Sequence, residues 1–270
     1  MLNPGPIFLT SKRLRPELPL FVFLPGMDGT GQLFRTQTDG LEMGFDVRCL
    51  AIPPTDLTSW DELAEQTVGL IHQELEKVSD RPVYLCGESF GGCLALKVAL
   101  HSPHLFKRVI LANPASSFKQ RPFLNWSSTI TNWMPEPVYR LSSLWLMPFL
   151  ARLERLTPED RQALLKAVQS VPQKTSIWRL SLLHEFAIPE MELQKITQPV
   201  LLIAGAADRL LPSLTEVQRL QRSLPNSKTV VLPYSGHACL LEADVNLYEI
   251  MQAHNFLETS VAAEAPTAHR

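Results

Sequence analysis

The chain has 270 residues, of which 45% are hydrophobic and 19% are charged, and its formal net charge is −2 at pH 7. This length fits one large domain or a core with one insertion, and the composition excludes a largely disordered chain. The charge gives no electrostatic basis for nucleic-acid binding, and no apolar run is long enough for a transmembrane helix.

Short apolar runs alternate with longer segments of helical periodicity along most of the chain. Buried strands that alternate with helices indicate a mostly parallel sheet with crossover helices. Thr58 or Ser59 is the expected N-cap of the first predicted helix. The pattern predicts strands at 18–26, 46–53, 81–87, 108–114, 199–205 and 228–233, and helices at 57–78, 90–103, 213–223 and from about Ala238 onward.

The alternation stops between 114 and 189, where no strand-like run occurs and four of the five tryptophans lie. We interpret 114–189 as a helical cap inserted into an α/β core of 1–113 and 190–260, and 261–270 as a disordered tail. Two interpretations of the apolar cap side chains stay open: packing onto the core, or a substrate pocket and a peripheral membrane contact. The candidate pocket residues are Trp126, Trp133, Trp145 and Phe149.

The segment Gly87-Glu88-Ser89-Phe90-Gly91 matches the pattern G-x-S-x-G and lies between a predicted strand and a predicted helix. In this pattern the serine lies on a sharp turn that exposes its hydroxyl above the sheet. A Cβ at either outer glycine would collide with neighbouring backbone in so tight a turn. Ser89 is therefore a candidate nucleophile, and an ordinary serine in a turn is the alternative.

A serine nucleophile needs a histidine base and a carboxylate that orients the base. His237 follows the last predicted strand, and Asp208 follows the strand at 199–205. The chain order is therefore Ser, Asp, His, which is the order expected with the G-x-S-x-G pattern. A helix N-cap is the alternative role of Asp208. Glu242 and Asp244 are weaker candidates for the acid because we expect them inside the last helix.

An oxyanion hole requires two backbone N–H groups that face the developing negative charge. One is expected from Phe90, directly after the nucleophile, and the other from Met27 in the glycine-rich loop 24–31. We assign Asp28 of this loop to a local turn. The sequence contains no dinucleotide-binding motif, P-loop lysine or clustered metal ligands, so we expect no cofactor and no metal. The four cysteines are expected to be reduced and packed.

These motifs resemble those of the α/β-hydrolase fold superfamily over about residues 18–258. The segments FLPGMDGTGQLF, CGESFGGCLAL and LANPASSF are most similar to the hydrolase-like half of the phytyl ester synthase and diacylglycerol acyltransferase-like family. The resemblance implies acyl chemistry on lipids, with Ser89, Asp208 and His237 as the triad. With only residues 7–14 before the first long strand, we expect the sheet to lack one or two of the eight strands common in this fold.

Plant members of that family carry a second half with an H-x4-D motif, and no histidine of this chain has aspartate five residues later. We therefore expect a serine esterase, lipase or thioesterase for medium or long acyl chains. Transfer of the acyl group to a long-chain alcohol such as phytol is the alternative. A catalytically weak ligand-binding protein and a carbon–carbon bond hydrolase are further alternatives. The expected location is the cytoplasm. We expect no nucleic-acid partner.

Overall fold

The structure is a computed structural model that describes residues 5–11, 13–78, 80–121 and 127–258. Within these residues, seven strands form one sheet in the order β1-β3-β2-β4-β5-β6-β7. Only β1 is antiparallel to its neighbour, with Ile7 opposite Ala51 of β3, and every other pair is parallel. The strands are β1 (Ile7–Thr10), β2 (Leu20–Leu24), β3 (Asp46–Ala51), β4 (Val83–Glu88), β5 (Arg108–Ala112), β6 (Val200–Gly205) and β7 (Ser227–Leu232).

The central strands are continuous apolar runs because helices cover both faces of the sheet. Every residue of β2, β4 and β6 is buried. One apolar cluster packs the sheet against α2 (Trp60–Lys77) and α3 (Phe90–His101), and a second packs it against α1 (Arg35–Leu41) and α10 (Leu247–Ala253). The predicted fold class is therefore confirmed, as a mostly parallel sheet flanked by helices.

Helix α2 begins where the sequence predicts. The Ser59 hydroxyl accepts a hydrogen bond from the Glu62 N–H, and the Glu62 carboxylate accepts one from the Ser59 N–H at 2.9 Å. This reciprocal capping box satisfies two backbone donors that would otherwise lack partners. Helix α1 is an additional helix that the apolar pattern did not predict.

Between β5 and β6 the described residues form helices and no strand. We interpret this segment as the cap on the α/β core. Its helices are α4 (Ser127–Trp133), α5 (Glu136–Leu150), α6 (Pro158–Gln169) and α7 (Gln173–Glu185), and the chain then returns to the core through the short α8 (Glu190–Leu193), β6 and α9 (Ser213–Ser223). The predicted tail at 261–270 lies outside the described residues.

The last helix begins at Leu247, so the predicted start near Ala238 is wrong. Asn246 caps α10 by accepting a hydrogen bond from the Glu249 N–H at 3.2 Å. Residues Cys239–Leu241 form only a short 3-10 helix, which ends at Glu242, where the backbone is extended; the Glu242 carboxylate accepts from the Gly236 N–H and from Arg155.

All four cysteines are free and buried, as the sequence predicts. None of the helices in the described ranges has both the length and the apolar character needed to cross a bilayer.

Candidate active site

Ser89 lies on the turn between β4 and α3 with φ 55° and ψ −116°, a strained backbone conformation for a non-glycine residue. The turn is possible because its neighbours lack side chains. A Cβ at Gly87 would lie 2.1 Å from the Gly91 carbonyl oxygen, and one at Gly91 would lie 2.0 Å from the Leu24 carbonyl oxygen. These distances agree with the collisions that the sequence predicts. The close approach that the two glycines permit places Ser89 at the end of the central strand β4.

The structure brings Ser89, His237 and Asp208 into one hydrogen-bonded chain. His237 Nε2 is 2.8 Å from Ser89 Oγ, and His237 Nδ1 is 2.8 Å from Asp208 Oδ2. With the proton on Nδ1, the ring donates to Asp208 and accepts from the Ser89 hydroxyl. This is the arrangement in which a histidine can remove the proton of an attacking serine.

The carboxylate of Asp208 is fully hydrogen-bonded. Its Oδ1 accepts from the N–H groups of Leu210 at 2.8 Å and Leu211 at 3.0 Å, and its Oδ2 accepts from Ser213 as well as His237. Burial raises the pKa of this carboxyl, but the charge and hydrogen bond of His237, together with the other donors, lower it below the ordinary value. Asp208 is therefore held in its ionised form.

His237 is buried, which lowers its pKa, but the attraction of Asp208 and then of Glu88 raises that pKa above its ordinary value. Neither alternative acid binds the ring. Glu242 accepts from the Gly236 N–H at 2.7 Å and pairs with Arg155, and Asp244 pairs with the same arginine. These two carboxylates hold the loop before α10 and leave Asp208 as the partner of His237.

The loop after β2 lies beside the nucleophile, since a Cβ on Gly26 would be 3.9 Å from Ser89 Cβ. Met27 lies in this loop, and Phe90 is the first residue of α3. Within the described residues, neither backbone N–H donates to another protein group. Both N–H groups are therefore free to bind a substrate oxygen. Asp28 accepts from the N–H of Thr30 at 2.9 Å, which is the local turn that the sequence predicts.

Glu88, the residue before the nucleophile, is a buried carboxyl beside the triad. Its Oε1 accepts from the Leu240 N–H at 3.1 Å. Burial first, and then the charges of Asp28 and Glu242, raise its pKa to about 7 against the opposing effects of that hydrogen bond and of His237. The sequence pattern includes Glu88, but nothing in it indicates that the pKa of this carboxyl is raised.

A cavity of about 440 Å³ opens above Ser89 and His237 and is lined mainly by apolar side chains from the core and the helices of the cap. Two predicted pocket residues, Trp145 and Phe149, line it and are also 79% and 47% exposed. Trp133 does not line it: this residue ends α4 with its side chain 82% exposed to solvent. Trp126 lies outside the described residues.

Two buried polar residues that were not predicted from the sequence support the site. Asn113 follows β5 and binds the loop of His237, and Arg179 of α7 donates to the Met27 carbonyl oxygen at 2.7 Å. The position of Asn113 was a signal in the sequence, because a polar residue stands there between a buried strand and Pro114 in the segment LANP. No local pattern distinguishes Arg179 from other helical arginines.

The described residues contain no group of three or more His, Cys, Asp or Glu side chains placed to hold a metal ion.

Sequence comparison relates the chain to a known family and to several curated proteins. The family model described as serine aminopeptidase, S33 matches residues 54–244. Phytyl ester synthase 1, chloroplastic, of Arabidopsis thaliana is 30% identical over 87% of this chain, and the chain spans only 37% of that protein. The protein named "Putative carbamate hydrolase RutD" of Stutzerimonas stutzeri (strain A1501) is 28% identical over 90% of this chain and 93% of its own length.

The fold is also found among solved structures. A thermophilic esterase from Thermogutta terrifontis, solved with malate bound, superposes with a TM-score of 0.73 over 93% of this chain and 91% of that chain. The two sequences are 19% identical, so this similarity concerns the fold alone.

Proposed function

The chain belongs to the serine aminopeptidase S33 family of α/β hydrolases, and on this premise we propose that it cleaves carboxylic esters or thioesters with a medium or long acyl chain. The proposed catalytic residues are Ser89, His237 and Asp208. The observation that supports the proposal is their hydrogen-bonded chain at the wall of an apolar cavity.

In the proposed mechanism, His237 Nε2 takes the proton of Ser89 while Oγ attacks the acyl carbonyl carbon. Asp208 holds the Nδ1–H tautomer and stabilises the imidazolium. The N–H groups of Met27 and Phe90 donate to the oxyanion, and loss of one such donor costs about a hundredfold or more in rate. His237 then protonates the leaving alcohol or thiol, and water resolves the acyl-enzyme by the reverse sequence of proton transfers.

The size and chemistry of the cavity favour an acyl chain over a small polar substrate. Its volume of about 440 Å³ is in the range of sites for drug-sized ligands. A carbamate would leave most of this space empty. Apolar lining residues from both the core and the helices above it would remove an alkyl chain from water. The residues that would contact the chain are Leu33, Phe118, Leu146, Leu150, Leu164, Val168 and Leu183.

A panel of p-nitrophenyl esters from acetyl to palmitoyl tests this proposal, with Ser89→Ala as the inactive control. We expect kcat/KM to rise with acyl length beyond acetyl and to be lost in the variant. Fastest turnover of the acetyl ester would contradict the assigned acyl pocket. A fluorophosphonate probe that labels Ser89→Ala as strongly as the wild type would contradict the assigned nucleophile.

Acyl transfer to a long-chain alcohol is the second candidate, and the similarity to a phytyl ester synthase favours it. The same acyl-enzyme would be resolved by the alcohol instead of water, which requires a site that excludes water. The deciding experiment supplies a long-chain acyl donor with and without phytol and measures free fatty acid and phytyl ester by mass. Phytyl ester that depends on Ser89 would establish the transferase, and free acid alone would establish the hydrolase.

We also propose that the outer face of α4 and α5 contacts a lipid surface. Seven large apolar side chains of this face are between 47% and 82% exposed: Ile130, Trp133, Val138, Leu141, Leu144, Trp145 and Phe149. Two of them also line the cavity, so the face is continuous with the proposed acyl site. Trp133→Ser should weaken sedimentation with phosphatidylcholine vesicles and leave turnover of a water-soluble ester unchanged. Equal sedimentation of both proteins would contradict the contact.

A further inference from the structure

Arg179 is a buried cation whose hydrogen bonds connect the cap to the loop that carries Met27. Its guanidinium donates from Nη1 to the Met27 carbonyl oxygen at 2.7 Å and from Nη2 to the Pro53 carbonyl oxygen at 3.2 Å. The two acceptors follow the neighbouring parallel strands β2 and β3. One side chain of the cap therefore fixes the carboxyl-terminal ends of two core strands relative to each other.

The loop is shaped to receive this side chain. Gly29 has φ 71°, a backbone conformation that favours glycine, and a Cβ on it would lie 2.7 Å from Arg179 Nη1 and displace the guanidinium. The Gly29 N–H donates to the Gly26 carbonyl oxygen at 3.0 Å, and the Gly29 carbonyl oxygen accepts from the Ile52 N–H at 2.7 Å. The guanidinium thus lies against a closed turn that contains the peptide unit of the Met27 N–H.

An arginine at this position is costly if packing is its only role. The side chain is 2% exposed, and in the described part of the chain its guanidinium forms no ion pair with a carboxylate. Burial lowers its pKa, and the charges of Asp28 and Asp56 oppose that change from a distance. Apolar side chains of similar volume often replace buried charged groups with no loss of stability, or with a gain. The donors of Arg179 are therefore its distinctive contribution.

We propose that Arg179 is a positioning residue for the oxyanion hole. The cap thereby contributes to the active site through this side chain. By holding the Met27 carbonyl oxygen, the guanidinium fixes the backbone of Met27 and with it the direction of the Met27 N–H. An oxyanion donor stabilises the transition state only if it is correctly placed in advance. The effect of Arg179 should thus be on the tetrahedral state and not on binding of the substrate. The inference rests on the serine hydrolase mechanism proposed above.

Trp178, the residue directly before Arg179 in α7, provides a matched control. Its Nε1–H donates to the Thr58 carbonyl oxygen at 2.9 Å. This hydrogen bond also connects α7 to a backbone carbonyl of the core, but one outside the loop that carries Met27. Trp178→Phe removes that hydrogen bond and keeps an aromatic ring. If Arg179 only attaches the cap to the core, Arg179→Met and Trp178→Phe should have similar effects on activity.

The test measures kcat and KM on a medium-chain p-nitrophenyl ester, together with inhibition by an alkyl boronic acid, which forms a tetrahedral adduct with a serine. We expect Arg179→Met to lower kcat about 10- to 100-fold, with KM changed less than about threefold, since misplacing a group by about 1 Å costs up to a hundredfold. Boronate affinity should fall in parallel. Binding of a long-chain alcohol, which forms no tetrahedral adduct, should stay the same, and Trp178→Phe should resemble the wild type throughout.

Equal losses in Arg179→Met and Trp178→Phe, or a rise in KM at unchanged kcat, would overturn the positioning role. If Arg179→Met does not fold, Arg179→Lys decides on the same measurements, because its ammonium group keeps the charge but lacks the rigid planar fork of donors through which the guanidinium holds both carbonyls. A wild-type protein without esterase activity or phosphonate labelling would overturn the proposed function and this inference with it. An active wild type with an unaffected Arg179→Met would overturn the inference alone.

Discussion

Asn113 and His237 are joined by a 2.6 Å hydrogen bond from the side-chain amide nitrogen of the asparagine to the backbone carbonyl oxygen of the histidine. The same amide nitrogen donates to the Gly236 carbonyl oxygen at 3.0 Å, and the amide oxygen accepts from the Gly205 N–H at 2.8 Å. Asn113 has a left-handed backbone with φ 42° and is completely buried. One side chain therefore links the end of β5 to the histidine loop and to the end of β6, just before Asp208.

We expect Asn113→Ala to lower kcat at least about tenfold, because the histidine loop would lose its contact with the sheet and small displacements of catalytic groups are costly. Unfolding free energy should fall by about 2–4 kcal/mol, since buried backbone groups lose their partners. Asn226→Ala is the control: its amide also donates to a backbone carbonyl, that of Thr197, at an exposed site. Steady-state kinetics well below the melting temperature that show equal rates for the two variants would contradict the positioning of His237 by Asn113.

Asp208→Asn should lower kcat by about a thousandfold or more, because an amide nitrogen opposite Nδ1 favours the wrong histidine tautomer. The remaining amide oxygen can still accept from the Leu210 and Leu211 N–H groups, so the loop should keep its conformation. Asp244→Asn tests the specificity of the effect, since Asp244 pairs with Arg155 and does not contact the ring. Near-normal kcat in Asp208→Asn would assign the acid to another residue.

Glu88 makes the pH dependence of activity testable. The rate should rise with pH as His237 loses its proton, with a midpoint above the ordinary histidine pKa of 6.5, because Asp208 and then Glu88 raise that pKa. Glu88→Gln keeps an acceptor for the Leu240 N–H and removes the negative charge. The midpoint of kcat/KM against pH should therefore move to lower pH in this variant. An unchanged midpoint would show that the Glu88 charge does not act on His237.

The same substitution should change how stability depends on pH. A carboxyl whose pKa rises from 4.5 in the unfolded chain to about 7 in the fold contributes stability that is fully present below pH 4.5 and is lost as the pH rises through 7. The wild type should therefore lose about 3 kcal/mol relative to Glu88→Gln between pH 4.5 and pH 8, at about 1.4 kcal/mol per pKa unit. Urea unfolding of both proteins at several pH values measures the difference. The titration of His237 affects the stability of both proteins. Parallel stability curves would contradict the assignment to Glu88.

The sequence predicted those features that local pattern determines. Each of the strands β2 to β7 contains an apolar run at the predicted place, and Gly87 and Gly91 mark a turn whose geometry permits few other residues. The positions of Asp208 and His237 near Ser89 were predictable because each residue follows a strand, and parallel strands bring their carboxyl-terminal ends to one edge.

The features that escaped prediction depend on contacts between distant segments. Arg179 is 152 residues from Met27, and Asn113 is 124 residues from His237, so no periodicity relates the partners. The direction of Trp133 depends on how α4 packs, and an apolar residue on a helix can face either the cavity or solvent. The segment after His237 has helix-forming residues, which predicted a helix start near Ala238. In the structure the buried carboxylate of Glu242 contacts Gly236 and Arg155, and these long-range contacts leave no signal in the local sequence.

Two glycine substitutions separate the constraint at the nucleophile turn from the general properties of glycine. A Cβ at Gly91 would lie 2.0 Å from the Leu24 carbonyl oxygen and 2.6 Å from that of Pro25, and backbone atoms cannot rotate away. Gly91→Ala should therefore cost more than about 4 kcal/mol of unfolding free energy. Gly69 of α2 has no heavy atom within 4 Å of a built Cβ, so Gly69→Ala should stabilise the protein by about 0.5–1 kcal/mol. Urea unfolding measures both, and a Gly91→Ala protein as stable as the wild type would show that β2 and α3 do not approach each other this closely.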